Sequence, residues 1–486
     1  MTKEILGLEP KLVWAYFHEL TQIPRPSKKE QKAVDFAVDF AKKHKLEFTK
    51  DDVGNVIVRK PATKGMENRK GVILQAHLDM VPQKNSDKVH DFEKDPIETR
   101  VVDSWVMANQ TTLGADNGIG AASIFAVLAS DNIVHGPIEA LLTIDEETGM
   151  TGANNLRAGM LQGHILINTD SEDEGELYVG CAGGSNASCT FYFQPEKTPV
   201  GTEAFVVSLG GLKGGHSGID IILGRGNANK LVFRFLKYAV AHLGVRLASI
   251  DGGSLRNAIP REAFATVVVP SRSIDDFKEA VADFEHTFKD ELHHVEPGLK
   301  FEAVPTQLPV SIFDEITQDD LINAVQACPN GVIRMSDSMP GLVETSTNLA
   351  VVKSDERTIQ VLSLIRSSVD SAKEDVESTI ESIFRLAGAE VRFHGQYPGW
   401  QPNMDSAILK TMQNVYKNKF GKTPEIKAIH AGLECGILGG VYPHWDMISF
   451  GPTIRYPHSP DEKVNIQSVQ RFWEFLVDTL AHIPLK

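Results

Sequence analysis

Gly71-Val-Ile-Leu-Gln-Ala-His77-Leu-Asp79 is a short apolar run that ends at once in a histidine and an aspartate. Three further stretches repeat the design: Leu141-Leu-Thr-Ile-Asp145-Glu146-Glu147, His164-Ile-Leu-Ile-Asn-Thr-Asp170, and Asp446-Met-Ile-Ser-Phe-Gly451, which leads on to His458. Short apolar runs bounded by turn residues read as buried strands. In open α/β sheets the ligand site lies outside the carboxyl ends of the strands. Four such ends carrying oxygen and nitrogen donors predict a metal site on an α/β fold.

The flanking sequence supplies the rest of that fold. Between 71 and 184 strands alternate with helices: strands at 72–76, 138–144 and 165–168, and an apolar helix over 119–129. This βαβ rhythm predicts a mixed, largely parallel sheet with helices on its faces. The first sixty residues read as two helices and a hairpin, with a turn at Asp51-Asp-Val-Gly-Asn55. Ser27 with Glu30 reads as a capping box before a helix whose inner face carries Val34, Ala37, Val38 and Ala41. From 185 to 398 the texture is β-rich and alternating, as in Ala204-Phe-Val-Val-Ser and Ala265-Thr-Val-Val-Val, with charged amphipathic helices over 274–292 and 372–386. That segment reads as two strand-rich halves. After 399 the α/β texture returns, with helices over 404–420 and 469–481 and strands near Ile426 and Met447. The organisation expected is one discontinuous α/β domain, 1–184 and 399–486, with an α+β domain, 185–398, inserted in it.

Composition narrows the function. The chain has 486 residues, 42% hydrophobic and 23% charged, and a net charge of −15. Nucleic-acid binding selects basic patches, and anionic membranes attract basic segments, so neither partner is expected. No apolar stretch is long enough to span a bilayer and the first residues lack a signal pattern, so the expected compartment is the cytoplasm. Cys181, Cys189, Cys328 and Cys435 show no CxxC spacing and read as buried free thiols.

The candidate ligands are His77, Asp116, Asp170, His458 and one of the pair Glu146 and Glu147. Asp79 lies two residues after His77, on the same side of an extended chain, where it can orient the imidazole. Asp116 lies in Gly114-Ala-Asp-Asn-Gly118, a loop whose glycines let a carboxylate bend inward. The paired Glu146 and Glu147 would be costly near a core unless one bound a cation and the other acted on water. His444 precedes the 447–450 strand and should lie at its far edge, so His458 is preferred. Nitrogen and oxygen donors without thiolate suit zinc, manganese or cobalt. Five ligands exceed the three protein ligands of a single catalytic zinc, so two metals sharing one carboxylate are expected.

These motifs, His77-Leu-Asp79, Leu113-Gly-Ala-Asp116-Asn-Gly, Asp145-Glu146-Glu147-Thr-Gly149, Asp170 and Tyr456-Pro-His458, resemble the co-catalytic zinc peptidases related to aminoacylase and bacterial carboxypeptidase G. The resemblance covers nearly the whole chain. It implies a zinc-exopeptidase-like fold in which His77 and Asp170 hold one metal, Glu147 and His458 the other, and Asp116 bridges. Glu146 would be the general base and Asp79 the partner of His77. The inserted domain would be a lid, often a dimerisation element, which implies a homodimer. Its His216, in Gly214-Gly-His-Ser-Gly218, resembles a histidine that stabilises the tetrahedral oxyanion. Asn257 and Arg366 resemble residues that bind the substrate carboxylate. Read without the resemblance, Arg366 is a core arginine in a helix. Glu434, in Gly432-Leu-Glu-Cys-Gly436, reads as a partner for a free amino group.

The activity expected is hydrolysis of dipeptides with free termini, β-alanyl-histidine among them, by hydroxide held between two metals, with zinc the first choice. An N-acyl amino acid deacylase would use the same centre, and a metal- or peptide-binding protein without catalysis could keep the fold. The spare Glu146 speaks against the latter. Serine hydrolysis fails on spacing, because Gly215-His-Ser217-Gly218 is not a nucleophile elbow, and Gly114–Gly120 matches neither nucleotide-binding fingerprint.

Overall fold

The computed structural model describes residues 4–486, which divide into two compact units. The first comprises residues up to Cys181, Trp400–Ala428 and Leu433–Lys486; the second comprises Ala182–Gly399 and Ile429–Gly432. The short segment 429–432 thus groups with the second unit although its neighbours on both sides belong to the first.

The first unit is built on an eight-stranded sheet. Its strands are β1 (Glu47–Lys50), β2 (Val56–Lys60), β3 (Val72–His77), β4 (Ile138–Thr143), β5 (Ile165–Asn168), β6 (Glu176–Cys181), β7 (Glu425–Ile429) and β8 (Asp446–Ser449), in the order β1-β2-β4-β3-β5-β8-β6-β7. The central neighbours β4, β3, β5 and β8 pair in parallel, while β1 and β2 on one side and β6 on the other run antiparallel to their partners. Every residue of β3, β4 and β5 is buried, as expected of parallel strands covered on both faces. The turn at 51–55 joins β1 and β2 as a hairpin, with Lys50 opposite Val56.

Helices α1 (Lys11–Thr21), α2 (Gln31–Lys43) and α3 (Ala115–Ala129) precede and interleave with these strands. In α2, Val34, Ala37 and Ala41 are buried, as the periodicity requires, but the capping box does not form. The N-cap is Glu30, without a side-chain hydrogen bond, and Ser27 is engaged elsewhere (below). The start of α3 is irregular, because Asp116 and Asn117 have non-helical dihedrals, so the regular helix begins where the apolar run does.

The second unit carries a nine-stranded antiparallel sheet. Its path runs Lys300–Thr306, Thr202–Gly210, Ala263–Pro270, Arg246–Gly252, Val343–Ser354, Thr358–Ser367, Gly183–Tyr192, Glu390–Tyr397, with Gly331–Met335 also pairing on Val343–Ser354. The two strand-rich halves read from the sequence are therefore one sheet, joined where Arg246–Gly252 meets Val343–Ser354. Helices Ala228–Leu243, Ile274–Leu292, Glu315–Ala327 and Asp370–Leu386 share its core, which is rich in phenylalanine: Phe205, Phe235, Phe277 and Phe301 meet at ring separations of 5.1–5.8 Å. Arg366 lies on the strand Thr358–Ser367, not in a helix. Its alternation with buried Leu364 and Ile365 belongs to a strand buried on both faces, which periodicity alone does not separate from a helix. All four cysteines are free and buried. Among the described residues no helix is long and apolar enough to cross a membrane.

Candidate metal centre

Four adjacent parallel strands aim the candidate ligands at one place. His77 is the last residue of β3, Glu146 and Glu147 follow the end of β4, Asp170 lies just beyond β5, and His458 comes from the loop after β8. Asp116 reaches the same point from the irregular start of α3. His77 Nε2 lies 3.2 Å from Asp116 Oδ1 and 3.3 Å from Asp170 Oδ1. His458 Nε2 lies 3.2 Å from Asp116 Oδ2 and 3.0 Å from Glu147 Oε2. Asp116 thus turns one oxygen to each histidine. The donor atoms of His77, Asp116 and Asp170, of Asp116, Glu147 and His458, and of His77, Glu146 and Glu147 form three groups, each spanning no more than 4.8 Å. His444 precedes β8 and packs its ring against Tyr442.

Asp79 holds this set together. Its carboxylate faces His77 Nδ1 at 3.3 Å, accepts the hydroxyl of Ser27 at 2.8 Å, and accepts the amides of Glu146 at 3.0 Å and Glu147 at 3.3 Å. One buried carboxylate therefore fixes both the imidazole of a ligand and the backbone that carries the glutamate pair. With Nδ1 turned to Asp79, Nε2 is the nitrogen that faces the cluster. The turn into the pair is tight: Asp145 is left-handed at φ 51°, and its carboxylate accepts the hydroxyls of Thr148 and Thr151. Tyr456 and His458 are left-handed as well, at φ 55° and 59°. Non-glycine residues in this region cost energy and gather at functional sites.

The donors fit divalent cations. Among the described residues the only ion-pair partners of Asp116, Glu147 and Asp170 are the two histidines, and Glu147 Oε1 is buried without a hydrogen-bond partner. Burial raises the Asp170 carboxyl to about 6 against the attraction of His77, and raises Glu172 beside it to about 8, helped by Asp116 and Asp170. Burial also lifts Glu146 well above the carboxylate range, with Asp170, Glu434 and Glu147 adding to it against the pull of His77. Burial would depress His77, but Asp170, Asp116 and Asp79 outweigh it and raise it well above its usual value. Hydrogen bonds that its ring donates to the Asp116 and Glu147 carboxylates bring His458 up to about 11. So many carboxylates with two imidazoles as their ion-pair partners make a site short of positive charge.

Several residues that hold the centre carry no signal in the sequence motifs. Ser27 is one. Arg25, 1% exposed, donates to the carbonyls of Leu78, Asp79 and Gly114 at 2.9, 2.8 and 2.5 Å. Glu462, 2% exposed, accepts the four consecutive amides of Leu113, Gly114, Ala115 and Asp116 at 2.7–3.2 Å. Glu434 is fully buried: its Oε2 accepts from Gln75 at 2.5 Å and Thr143 at 2.8 Å, while Oε1 has no partner. Burial raises its carboxyl to about 7.

His216, Asn257 and Arg366 belong to the second unit. His216 Nδ1 accepts the amides of Gly218 and Ile219, both at 3.1 Å, which fixes the tautomer with the proton on Nε2. Burial, and then the charge of Arg366, lower its pKa, so the ring is a neutral donor. Arg366 is 6% exposed, has Tyr397 Oη at 3.3 Å, and leaves Nε buried without a partner. Asn257 is exposed, and its carbonyl accepts the Ser217 amide at 2.8 Å. His430, which the sequence did not single out, shares this environment. Its Nε2 is 2.7 Å from Ser346 Oγ, and burial, then Arg366 and His216, take its pKa down to about 3.

A fold with this strand-end cluster of histidines and carboxylates defines a metal-dependent hydrolase class, and the chain belongs to peptidase family M20/M25/M40, whose model matches residues 73–482. It is 49% identical over 483 residues to the cytosol non-specific dipeptidase of Escherichia coli (strain K12), an alignment covering 99% of this chain and 100% of that protein. The crystal structure of aminoacylhistidine dipeptidase from Vibrio alginolyticus matches with 50% identity and a TM-score of 0.96, each chain covered in full. Aminopeptidase PepT from Bacillus cereus ATCC 10987, 16% identical with a TM-score of 0.57 over 98% of this chain and 99% of its own, shares the fold.

Proposed function

We propose that this protein is a cytosolic dinuclear metallo-dipeptidase that hydrolyses dipeptides with free termini, Xaa-His dipeptides among them. The observation that carries the reading is the sharing of Asp116 between His77 with Asp170 on one side and His458 with Glu147 on the other, with Glu146 outside both groups that contain Asp116. Full-length identity of about one half to two dipeptidases supports the substrate class and the compartment. Four buried free thiols agree with a reducing compartment.

In this reading His77 and Asp170 hold one ion, Glu147 and His458 the other, and Asp116 both. Two divalent ions there supply Lewis acidity, which acidifies water and polarises the scissile carbonyl. Glu146 takes the proton of the attacking water on its carboxylate and passes it to the departing amine. Its burial suits that task, because burial raises the carboxyl and makes it a stronger base than an exposed glutamate. Asp79 keeps His77 in its tautomer. His216 donates Nε2–H to the developing oxyanion, which a neutral ring with both Nδ1 lone-pair contacts satisfied is poised to do. Arg366, with Asn257, receives the substrate carboxylate. Glu434 offers Oε1 to the free amino group from beneath the cluster.

The donor set favours zinc, with manganese and cobalt as the other candidates, and the protein is expected to be a homodimer in solution. A panel of dipeptides assayed with chelated protein and with protein restored by each of the three metals tests the function. Turnover of dipeptides, lost on chelation and regained with metal, is expected. Failure of every restored form to cleave any dipeptide removes the reading, and cleavage of N-acyl amino acids instead would replace it with a deacylase.

A further inference from the structure

We infer that Arg25 and Glu462 are positioning residues that set the Leu113–Asp116 loop, and through it the shared carboxylate of Asp116. The inference rests on the two-metal reading above. The two side chains grip the same loop from opposite polarity. Glu462 takes the amides of four successive residues, Leu113 to Asp116, on its two oxygens. Arg25 takes the Gly114 carbonyl of that loop, and with its other terminal nitrogen the carbonyls of Leu78 and Asp79 at the end of β3. Three chain segments meet at this point: the entry to α2, the end of β3 and the start of α3. Arg25 also lies ahead of residues 73–482, the span matched by the family model, so it is not part of the motifs that define the family here.

The loop has been shaped around this pair. Gly114 has φ 68°, and a Cβ there would stand 2.6 Å from Arg25 Nη2. A Cβ on Gly118 would stand at 2.6 Å from the same atom. Both glycines of the Gly114-Ala-Asp-Asn-Gly118 stretch are therefore required by the approach of the guanidinium, as well as by the backbone turn at Gly114. Asp116 has non-helical dihedrals at the first turn of α3, where amides are left without intrahelical acceptors. Glu462 supplies those acceptors, so the irregular start is held without a helical continuation. A buried carboxylate and a buried guanidinium are each costly when unpartnered, and here the backbone amides and carbonyls of the site supply the partners. Neither touches the donor atoms of the cluster; both act through the backbone of Asp116 and Asp79.

Glu462→Gln removes the charge and turns an amide group toward backbone N–H donors. Arg25→Lys keeps the charge but replaces a fork by one ammonium that cannot span three carbonyls. Manganese titration with electron paramagnetic resonance reads the consequence. The wild type is expected to bind two ions in an exchange-coupled pair. Both variants should bind the second ion about 10–100-fold more weakly, the range typical of residues that support metal ligands, and show the spectrum of isolated ions. A wild type without coupling would sink the two-metal reading itself. Coupled wild-type spectra and unchanged second-ion affinity in either folded variant would overturn this inference alone. Hydrogen exchange of the metal-free wild type serves if neither variant folds: the amides of 113–116 should be as protected as those of β3, and rapid exchange there would equally overturn it.

Discussion

The sheets of the two units place their chemistry by opposite means. In the first, β4, β3, β5 and β8 lie side by side in parallel, so four consecutive strand ends open on one spot and each delivers a donor. In the second, strands run antiparallel, so neighbouring ends point to opposite edges, and the candidate residues come from different kinds of element. His216 is in a two-residue strand, Asn257 in a loop and Arg366 inside a ten-residue strand. Parallel topology concentrates ligands and suits ions that need several donors at once. The antiparallel unit instead offers single side chains: a neutral imidazole and a guanidinium. The division predicts that first-unit substitutions alter metal content or proton transfer, while second-unit substitutions alter substrate handling and leave the metals in place.

The largest effect should come from Glu146→Ala. A general base contributes roughly 10²–10⁴ to rate, and Glu146 is the carboxylate outside the proposed ligand set. Turnover should fall by about that factor while metal content, measured by elemental analysis, stays at the wild-type stoichiometry. Survival of activity would remove Glu146 from the mechanism, and loss of metal would make it a ligand.

His216→Ala should cost about 10²–10³ in kcat, the usual range for one oxyanion donor. KM and metal stoichiometry should be close to wild type, because the ring takes part in neither ground-state binding nor the donor cluster. Loss of bound metal in this variant would break the separation between the two units. Next comes Arg366→Lys. A lysine retains the charge but loses the bidentate fork, so KM for dipeptides should rise by roughly tenfold with kcat nearly unchanged. Dipeptide amides, which lack the carboxylate, should be cleaved equally by variant and wild type.

The same contrast explains what the sequence disclosed. His77, Glu147 and Asp170 stand at or just past the ends of apolar runs, and an apolar run reports burial directly, so these positions were legible from pattern. Asp116 was legible as a glycine-flanked acid, although not its sharing between two histidines, which depends on where His458 arrives. Arg25 and Glu462 were not legible. Their partners are backbone groups far away in sequence, Glu462 meeting Leu113 and Arg25 meeting Leu78, and a carbonyl has no residue identity to betray the contact. Arg366 reads as helical in the sequence because a strand buried on both faces has no period-two signature. Ser27 was misread for a related reason: a serine three residues before a glutamate satisfies the capping pattern whether or not its hydroxyl has a better acceptor.

That acceptor is Asp79, and Ser27→Ala tests the choice with the smallest effect of the four. Asp79 keeps His77 Nδ1 and the amides of Glu146 and Glu147 when the hydroxyl is removed, so the site should survive. A hydrogen bond to a charged group contributes about 1.5–3 kcal/mol, and a carboxylate with other donors close by should lose the lower end of that range. Turnover should drop by about tenfold or less, with Ser27→Thr restoring it, since threonine keeps the hydroxyl. A helix cap behaves otherwise: its loss costs about 1 kcal/mol of stability and leaves catalysis alone. Thermal melts and turnover on the same preparations separate the two. A lowered melting temperature with full activity would return Ser27 to the helix and leave Asp79 supported by His77 and the glutamate amides alone.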